Sequence, residues 1–137
     1  MEKIFIDTNV IVYANDKGNT EKQKKALEVV TRLMESGEGV ISTQVMQEYA
    51  YTAVKKLRQN HQVILRQLKL LEHFEVIRQS PDMIRRALEI MTTYGIGFWD
   101  ACIIGNAEGA NCSVIYSEDL NAGQYYSGIK VANPFFE

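Results

Sequence analysis

Short runs of strand-forming residues recur along the chain, and each gives way to a longer stretch of helical periodicity. A chain built this way closes its core as a sheet with helices laid over it. The first run, at 3–6, is Lys3, Ile4, Phe5 and Ile6, and it stops at Asp7-Thr8-Asn9, whose side chains suit a helix start. Between Thr20 and Ser36, Ala26, Leu27, Val30, Leu33 and Met34 repeat at helical spacing, with Gly37 and Gly39 as the stop. Val40-Ile41 reads as a second strand, and Ser42 and Thr43 are caps for a helix predicted over 44–58. A helix over 62–74, with Ile64, Leu68 and Leu71 on one face, hands over to a strand at 75–77. Ser80-Pro81-Asp82 combines a cap, a first-turn proline and a first-turn acid, and opens a helix that should end at Gly95. Gly95 and Gly97 precede Phe98-Trp99-Asp100, from which Ile103, Ile104 and Ala107 carry a helix to Gly109. Strands at 114–116 and 129–131 complete the pattern, the last running up to Asn133-Pro134. The expectation is an α/β domain with a mostly parallel sheet covered on both faces.

The 137 residues, 46% hydrophobic and 23% charged, suit one domain spanning 1–137 around one core. A net charge of −2 gives no sign of a nucleic-acid partner, although a cluster of acids lowers the net charge while local Lys and Arg still hold phosphates. Cys102 and Cys112, one in a helical pattern and one in a turn, make no disulfide framework. Asp7 and Asn15 break the apolar runs near the N-terminus, so neither a signal segment nor a membrane span is expected, and the chain reads as cytoplasmic.

Three acids follow strands directly or lie early in the next helix: Asp7, Glu48 and Asp119. In a parallel sheet all strands end at one edge, where open α/β folds place ligands, and Asp100 at its helix start can face that edge too. Taken singly, Asp7 and Asp100 are ordinary helix caps and Glu48 a solvated glutamate. Four carboxylates meeting at one edge repel by about 4 kcal/mol per pair at 4 Å and an effective dielectric near 20. Oxygen-only ligands suit a hard cation, so magnesium or manganese is the expected neutraliser, with phosphodiester hydrolysis by cation-activated water as the fitting chemistry. No His falls in these four segments to suggest zinc, and no Ser or Cys is placed with a His for covalent catalysis.

Ile6-Asp7-Thr8-Asn9-Val10, Ser42-Thr43-Gln44-Val45-Met46-Gln47-Glu48, Trp99-Asp100-Ala101 and Ser117-Glu118-Asp119-Leu120 resemble, in order and spacing, the successive motifs of PIN-domain ribonucleases. With a closing Val131-Ala132-Asn133-Pro134-Phe135, the likeness runs from Ile4 to Phe135. It implies a three-layer sandwich around a parallel sheet of strand order 3-2-1-4-5. It also implies an acidic site at Asp7, Glu48, Asp100 and Asp119 and magnesium- or manganese-dependent cleavage of RNA. Glu118 competes with Asp119 for the fourth place, and Asn9 and Ser117 match polar positions that hold the ligands or metal waters. The short form most resembles VapC-type toxins, which implies a homodimer neutralised by a small antitoxin. The alternatives within the family are an RNA-processing nuclease without an antitoxin and an inactive binding module.

Lys55, Lys56 and Arg58, following Glu48, are candidate contacts for an RNA backbone. Trp99 is expected to pack inward with Cys102 and Ile103, and Met34, Met46, Met83 and Met91 to join the core, while His61 and His73 lie on helix surfaces. A receiver-type signalling domain requires an acid after the third strand, and the chain there reads Ile77-Arg78-Gln79-Ser80-Pro81. A haloacid-dehalogenase-type phosphatase requires a second Asp two residues after the first, where Asn9 stands.

Overall fold

The computed structural model describes residues 2–136. In chain order it contains β1 (Ile4–Ile6), α1 (Thr8–Ala14), α2 (Thr20–Ser36), β2 (Gly39–Ser42), α3 (Thr43–Thr52), α4 (His61–Leu71), β3 (Glu75–Ile77), α5 (Pro81–Tyr94), α6 (Phe98–Gly109), β4 (Val114–Tyr116), β5 (Tyr125–Tyr126) and β6 (Ile129–Ala132). The strands form one sheet of order β3-β2-β1-β4-β6-β5, parallel except where β5 turns back onto β6. The five strands read from sequence take the expected order 3-2-1-4-5, with β6 as the fifth. The added β5 is only two residues long and runs antiparallel at the edge, too short for an alternation signal.

The centre of the sheet is buried: Ile4, Phe5 and Ile6 of β1 are all 5% exposed or less, flanked by Val40 and Ile41 on one side and Ile115 on the other. Such continuous apolar runs mark parallel strands covered on both faces. Helix α6 is buried along its length from Ala101 to Ala107 and packs along α5, while α1 packs against α2 and α3. Met34, Met46 and Met91 lie half-buried against the core.

Gly37 ends α2 in the left-handed conformation (φ 77°), as the helix pattern requires. Gly39 does something different: it opens β2, and a Cβ there would stand 2.6 Å and 2.7 Å from ring carbons of Phe74 and 3.1 Å from the Leu33 Cβ. Phe74 and Leu33 are both core residues, so the ring cannot swing into solvent. Gly39→Ala is therefore expected to cost about 1–3 kcal/mol of stability through overpacking. A thermal melt should show a midpoint several degrees lower, and an unchanged midpoint would contradict the packing.

The helix expected over 44–58 is divided. Regular α3 stops at Thr52 and a π-helical turn occupies Ala53–Leu57, ending at Arg58 in the left-handed region (φ 51°). The wider turn carries one extra residue, which shifts the faces that follow it.

Candidate active site

The local fold that presents Asp7 begins with its backbone. Its N–H donates to the Tyr116 carbonyl at 3.0 Å, and the Ser117 N–H donates to the Ala132 carbonyl at 3.0 Å, so ladder bonding runs one residue beyond β1 and β4. Asp7 and Ser117 thereby emerge side by side at the C-terminal edge of the sheet. Asp7 also caps α1, its Oδ1 accepting from the Thr8 N–H at 2.7 Å. Asp7 is thus a helix cap as well as a candidate site residue.

The other Asp7 oxygen, Oδ2, accepts from the Ser117 hydroxyl at 2.8 Å and from the Asn9 amide at 3.3 Å. The same Asn9 Nδ2 reaches Asp119 Oδ2 at 3.1 Å, and Asn9 Oδ1 accepts from the Glu118 N–H at 3.1 Å. Ser117 Oγ in turn accepts from the Asp119 N–H at 3.1 Å. Asn9 and Ser117 therefore hold Asp7 and Asp119 on one frame.

Glu48, half-buried on α3, is gripped from two sides. Its Oε1 accepts from the Thr8 hydroxyl at 2.6 Å and its Oε2 from the Gln44 amide at 3.3 Å. That amide also donates to the Trp99 carbonyl at 3.2 Å, tying α3 to the first turn of α6, where Asp100 sits. Behind it, the fully buried Asn106 donates to Ser42 Oγ and to Gln44 Oε1, each at 3.0 Å. Thr8, Gln44 and Asn106 carry no sequence signal as site residues. Their spacing places them on helices, and only the tertiary contact with Glu48 gives them a task.

Glu118 and Asp119 separate in the structure. Glu118 turns to Lys22, with which it forms an ion pair, and to the Tyr13 hydroxyl at 2.8 Å. Burial pushes the Glu118 carboxyl up, but Lys22 and Tyr13 outweigh it and hold the group below its ordinary value. Asp119 stays exposed and stands against Asp7 and Asp100, raising both.

Asp7, Glu48, Asp100 and Asp119 all line one cavity of about 760 Å³, together with Glu118 and Lys56. Lys55 and Arg58, placed beside Lys56 in sequence as backbone contacts, do not line it: the π-helical turn brings Lys56 round instead. Trp99 departs from its expected core position. It is 65% exposed and lines the cavity, because the inward face of α6 is taken by Ala101, Cys102, Ile103 and Ile104.

Burial pushes the Asp7 carboxyl up to about 7, against the hydrogen bonds from Ser117 and Thr8, and the charges of Asp119 and Glu48 add to the rise. Asp100 is raised by burial first and by the same two neighbours next. These donors suit a hard cation: all are carboxylate oxygens, and each of the four groups keeps lone pairs outside its hydrogen bonds, on Asp7 at Oδ1 because Oδ2 already accepts twice. Among the described residues no three His, Cys, Asp or Glu side chains are grouped as they would be around a metal ion. A magnesium ion that keeps several waters needs only one or two carboxylates in contact, which this wall provides.

Residues 4–126 match the family model of the PIN domain. The chain belongs to the PIN domain family. Solved structures with the same fold include Mycobacterium tuberculosis VapC20, a Sarcin-Ricin loop cleaving toxin (19% identity, TM-score 0.66, 85% of this chain and 90% of that one). Rickettsia felis VapBC2 bound to a DNA fragment from its promoter (20%, 0.70, 95% and 97%) is a second. Neisseria gonorrhoeae FitAcB (18%, 0.68, 98% and 99%) is a third. No curated protein matches the chain by sequence. Among the described residues of this PIN domain, no helix is long and apolar enough to cross a membrane.

Proposed function

We propose that this PIN domain is a cytoplasmic, divalent-cation-dependent endoribonuclease, and that it acts as the homodimeric toxin of a toxin-antitoxin pair. The observation that carries the catalytic part is the convergence of Asp7, Glu48, Asp100 and Asp119 on one cavity wall, with Asp7 raised to about 7 by burial and further by the charges of Asp119 and Glu48. Asp7, Glu48, Asp100 and Asp119 would hold magnesium or manganese. The bound cation supplies Lewis-acid polarisation of a phosphate oxygen and acidification of water.

The protein's own contribution is positional. Asn9 and Ser117 keep Asp7 and Asp119 facing the cavity, and Thr8 and Gln44 keep Glu48 from swinging to solvent. Asp100 receives no hydrogen bond that lowers its pKa, so its carboxylate is open to a ligand. RNA as the substrate and an antitoxin as the partner are supported by proteins of similar fold: a toxin that cleaves the Sarcin-Ricin loop, and a toxin-antitoxin complex from Klebsiella pneumoniae (21% identity, TM-score 0.69, 96% of this chain and 98% of that one).

The test is cleavage of structured RNA by the purified protein with magnesium or manganese and with EDTA. Cleavage with either cation and none with EDTA is the expected result, and undiminished cleavage in EDTA would overturn it. Within that assay Asp119→Asn should lose roughly 10²-fold or more, while Glu118→Gln, paired to Lys22 outside the carboxylate frame, should lose less than about tenfold. The reverse order would move the fourth acid to Glu118. For the toxin half, co-expression of a small DNA-binding protein encoded beside this chain should relieve growth arrest. Light scattering of the purified protein should give the mass of two chains.

A further inference from the structure

The cavity wall has a second component that the carboxylates do not explain. Trp99 and Tyr51, on α6 and α3, both line it and are 65% and 68% exposed, the two largest aromatic side chains left that far in water at this site. Large aromatics are normally placed to bury most of their surface, and α6 buries seven consecutive residues immediately after Trp99. Both nevertheless stay open where they line the acidic cavity. Tyr51 stands three residues after Glu48 on α3, the spacing that puts two side chains on one helix face. Trp99 is tied to the same helix through its carbonyl and Gln44.

A wall of four carboxylates repels a polyanion, and Lys56 is the only basic side chain lining the cavity among the described residues. Lys22, beside the lining residues Tyr13 and Glu118, is occupied by Glu118. A cation held by the carboxylates would take the phosphate being cut, but the nucleotides on either side of it meet one lysine, so contacts that do not depend on charge add to their retention. Stacking of bases on aromatic faces supplies such contacts, and only unpaired bases have a free face to offer.

Building on the nuclease function above, we propose that Trp99 and Tyr51 are a stacking wall for unpaired bases of the RNA, with Lys56 taking one backbone phosphate.

Trp99 is the only tryptophan in the chain, so its emission reports the contact directly. The experiment uses full-length Asp100→Asn protein, in which RNA survives, titrated with a single-stranded oligoribonucleotide of mixed sequence and with the same strand annealed to its complement. Quenching of Trp99 by the single strand and little by the duplex is the expected result. Anisotropy of a labelled strand should show binding weakened roughly 10- to 100-fold by Trp99→Ala and by Tyr51→Ala, with Trp99→Phe recovering most of it. Lys56→Ala should lower the slope of log K against log salt by about 0.7.

In the cleaving protein, Trp99→Ala should raise KM more than it lowers kcat. Equal binding by Trp99→Ala and the parent, or equal quenching by duplex and single strand, would overturn the stacking wall. So would a surface that binds no RNA and instead takes up a peptide of the antitoxin partner. Cleavage by the unsubstituted protein is scored separately: an active nuclease without stacking removes only this inference, whereas an inactive one removes the function on which it rests.

Discussion

Asp100→Asn is expected to abolish RNA cleavage while leaving the melting temperature unchanged or slightly raised. The carboxylate of Asp100 is raised by burial and by the charges of Asp119 and Glu48, and no hydrogen bond holds it in place. Removing its charge therefore relieves repulsion and breaks no contact, and the amide fits the same space. The chemistry loses a cation ligand, worth several kcal/mol of transition-state stabilisation, or on the order of 10²–10³-fold in rate. Few substitutions at a structural carboxylate separate activity from stability in this way. A variant that still cleaves at more than a tenth of the parental rate would remove Asp100 from the site, and one that unfolds would assign it a structural task instead.

The second large effect concerns pH and cation together. Asp7 has an ordinary carboxyl value near 3.8 when the chain is unfolded and about 7 when folded. Between those values the unfolded chain releases the proton while the folded protein keeps it, so without cation stability falls as pH rises from about 4 to 7 and then levels off. The full difference corresponds to roughly 4 kcal/mol as an upper bound. Glu118 acts in the opposite direction: its lowered value adds stability that is lost as pH falls through the carboxyl range. Over the range above pH 5 the Asp7 effect is the larger, so metal-free protein should melt higher at pH 5 than at pH 8.

A cation that binds the folded protein alone adds stability above pH 7, about 2.7 kcal/mol at one hundred times its dissociation constant. For a chain of this size that is a rise of roughly 5–10 °C. Thermal melts at pH 5 and pH 8, each with EDTA and with manganese, measure both. The melting temperature in EDTA should drop from pH 5 to pH 8, and manganese should restore it at pH 8 and do little at pH 5. Higher stability at pH 8 in EDTA would contradict the burial of a carboxyl at Asp7, and indifference to manganese at pH 8 would contradict cation binding there.

Apart from β5, the order of the elements was legible from residues 3 to 132 because each carries a local signal: apolar runs of two to four for the strands, 3.6-residue periodicity for α2, α4 and α5, and caps such as Ser80-Pro81. The four carboxylates could be placed at one sheet edge for the same reason, since three of them follow strands and parallel strands share an edge. What failed locally failed where two signals compete. The helical pattern through Lys55 and Lys56 has no mark of a widened turn, so it could not say which lysine meets the cavity. Trp99 at helical spacing from Ile103 looks like core until the rest of α6 is found to fill the inside.

The sequence by itself determined the α/β class and the edge at which the acids collect, because both follow from periodicity and strand direction, which are properties of neighbouring residues; the strand order 3-2-1-4-5 was implied by the family resemblance. Only the tertiary structure decided which acid of Glu118 and Asp119 faces the others, that Gln44 and Thr8 hold Glu48, and that Trp99 and Tyr51 stand open beside them. Those outcomes depend on pairs far apart in the chain: Lys22 with Glu118, Asn9 with Asp119, Gln44 with the Trp99 carbonyl. No local pattern encodes such a pair, since each partner satisfies its own helix or turn equally well until packing brings the two within 3.5 Å.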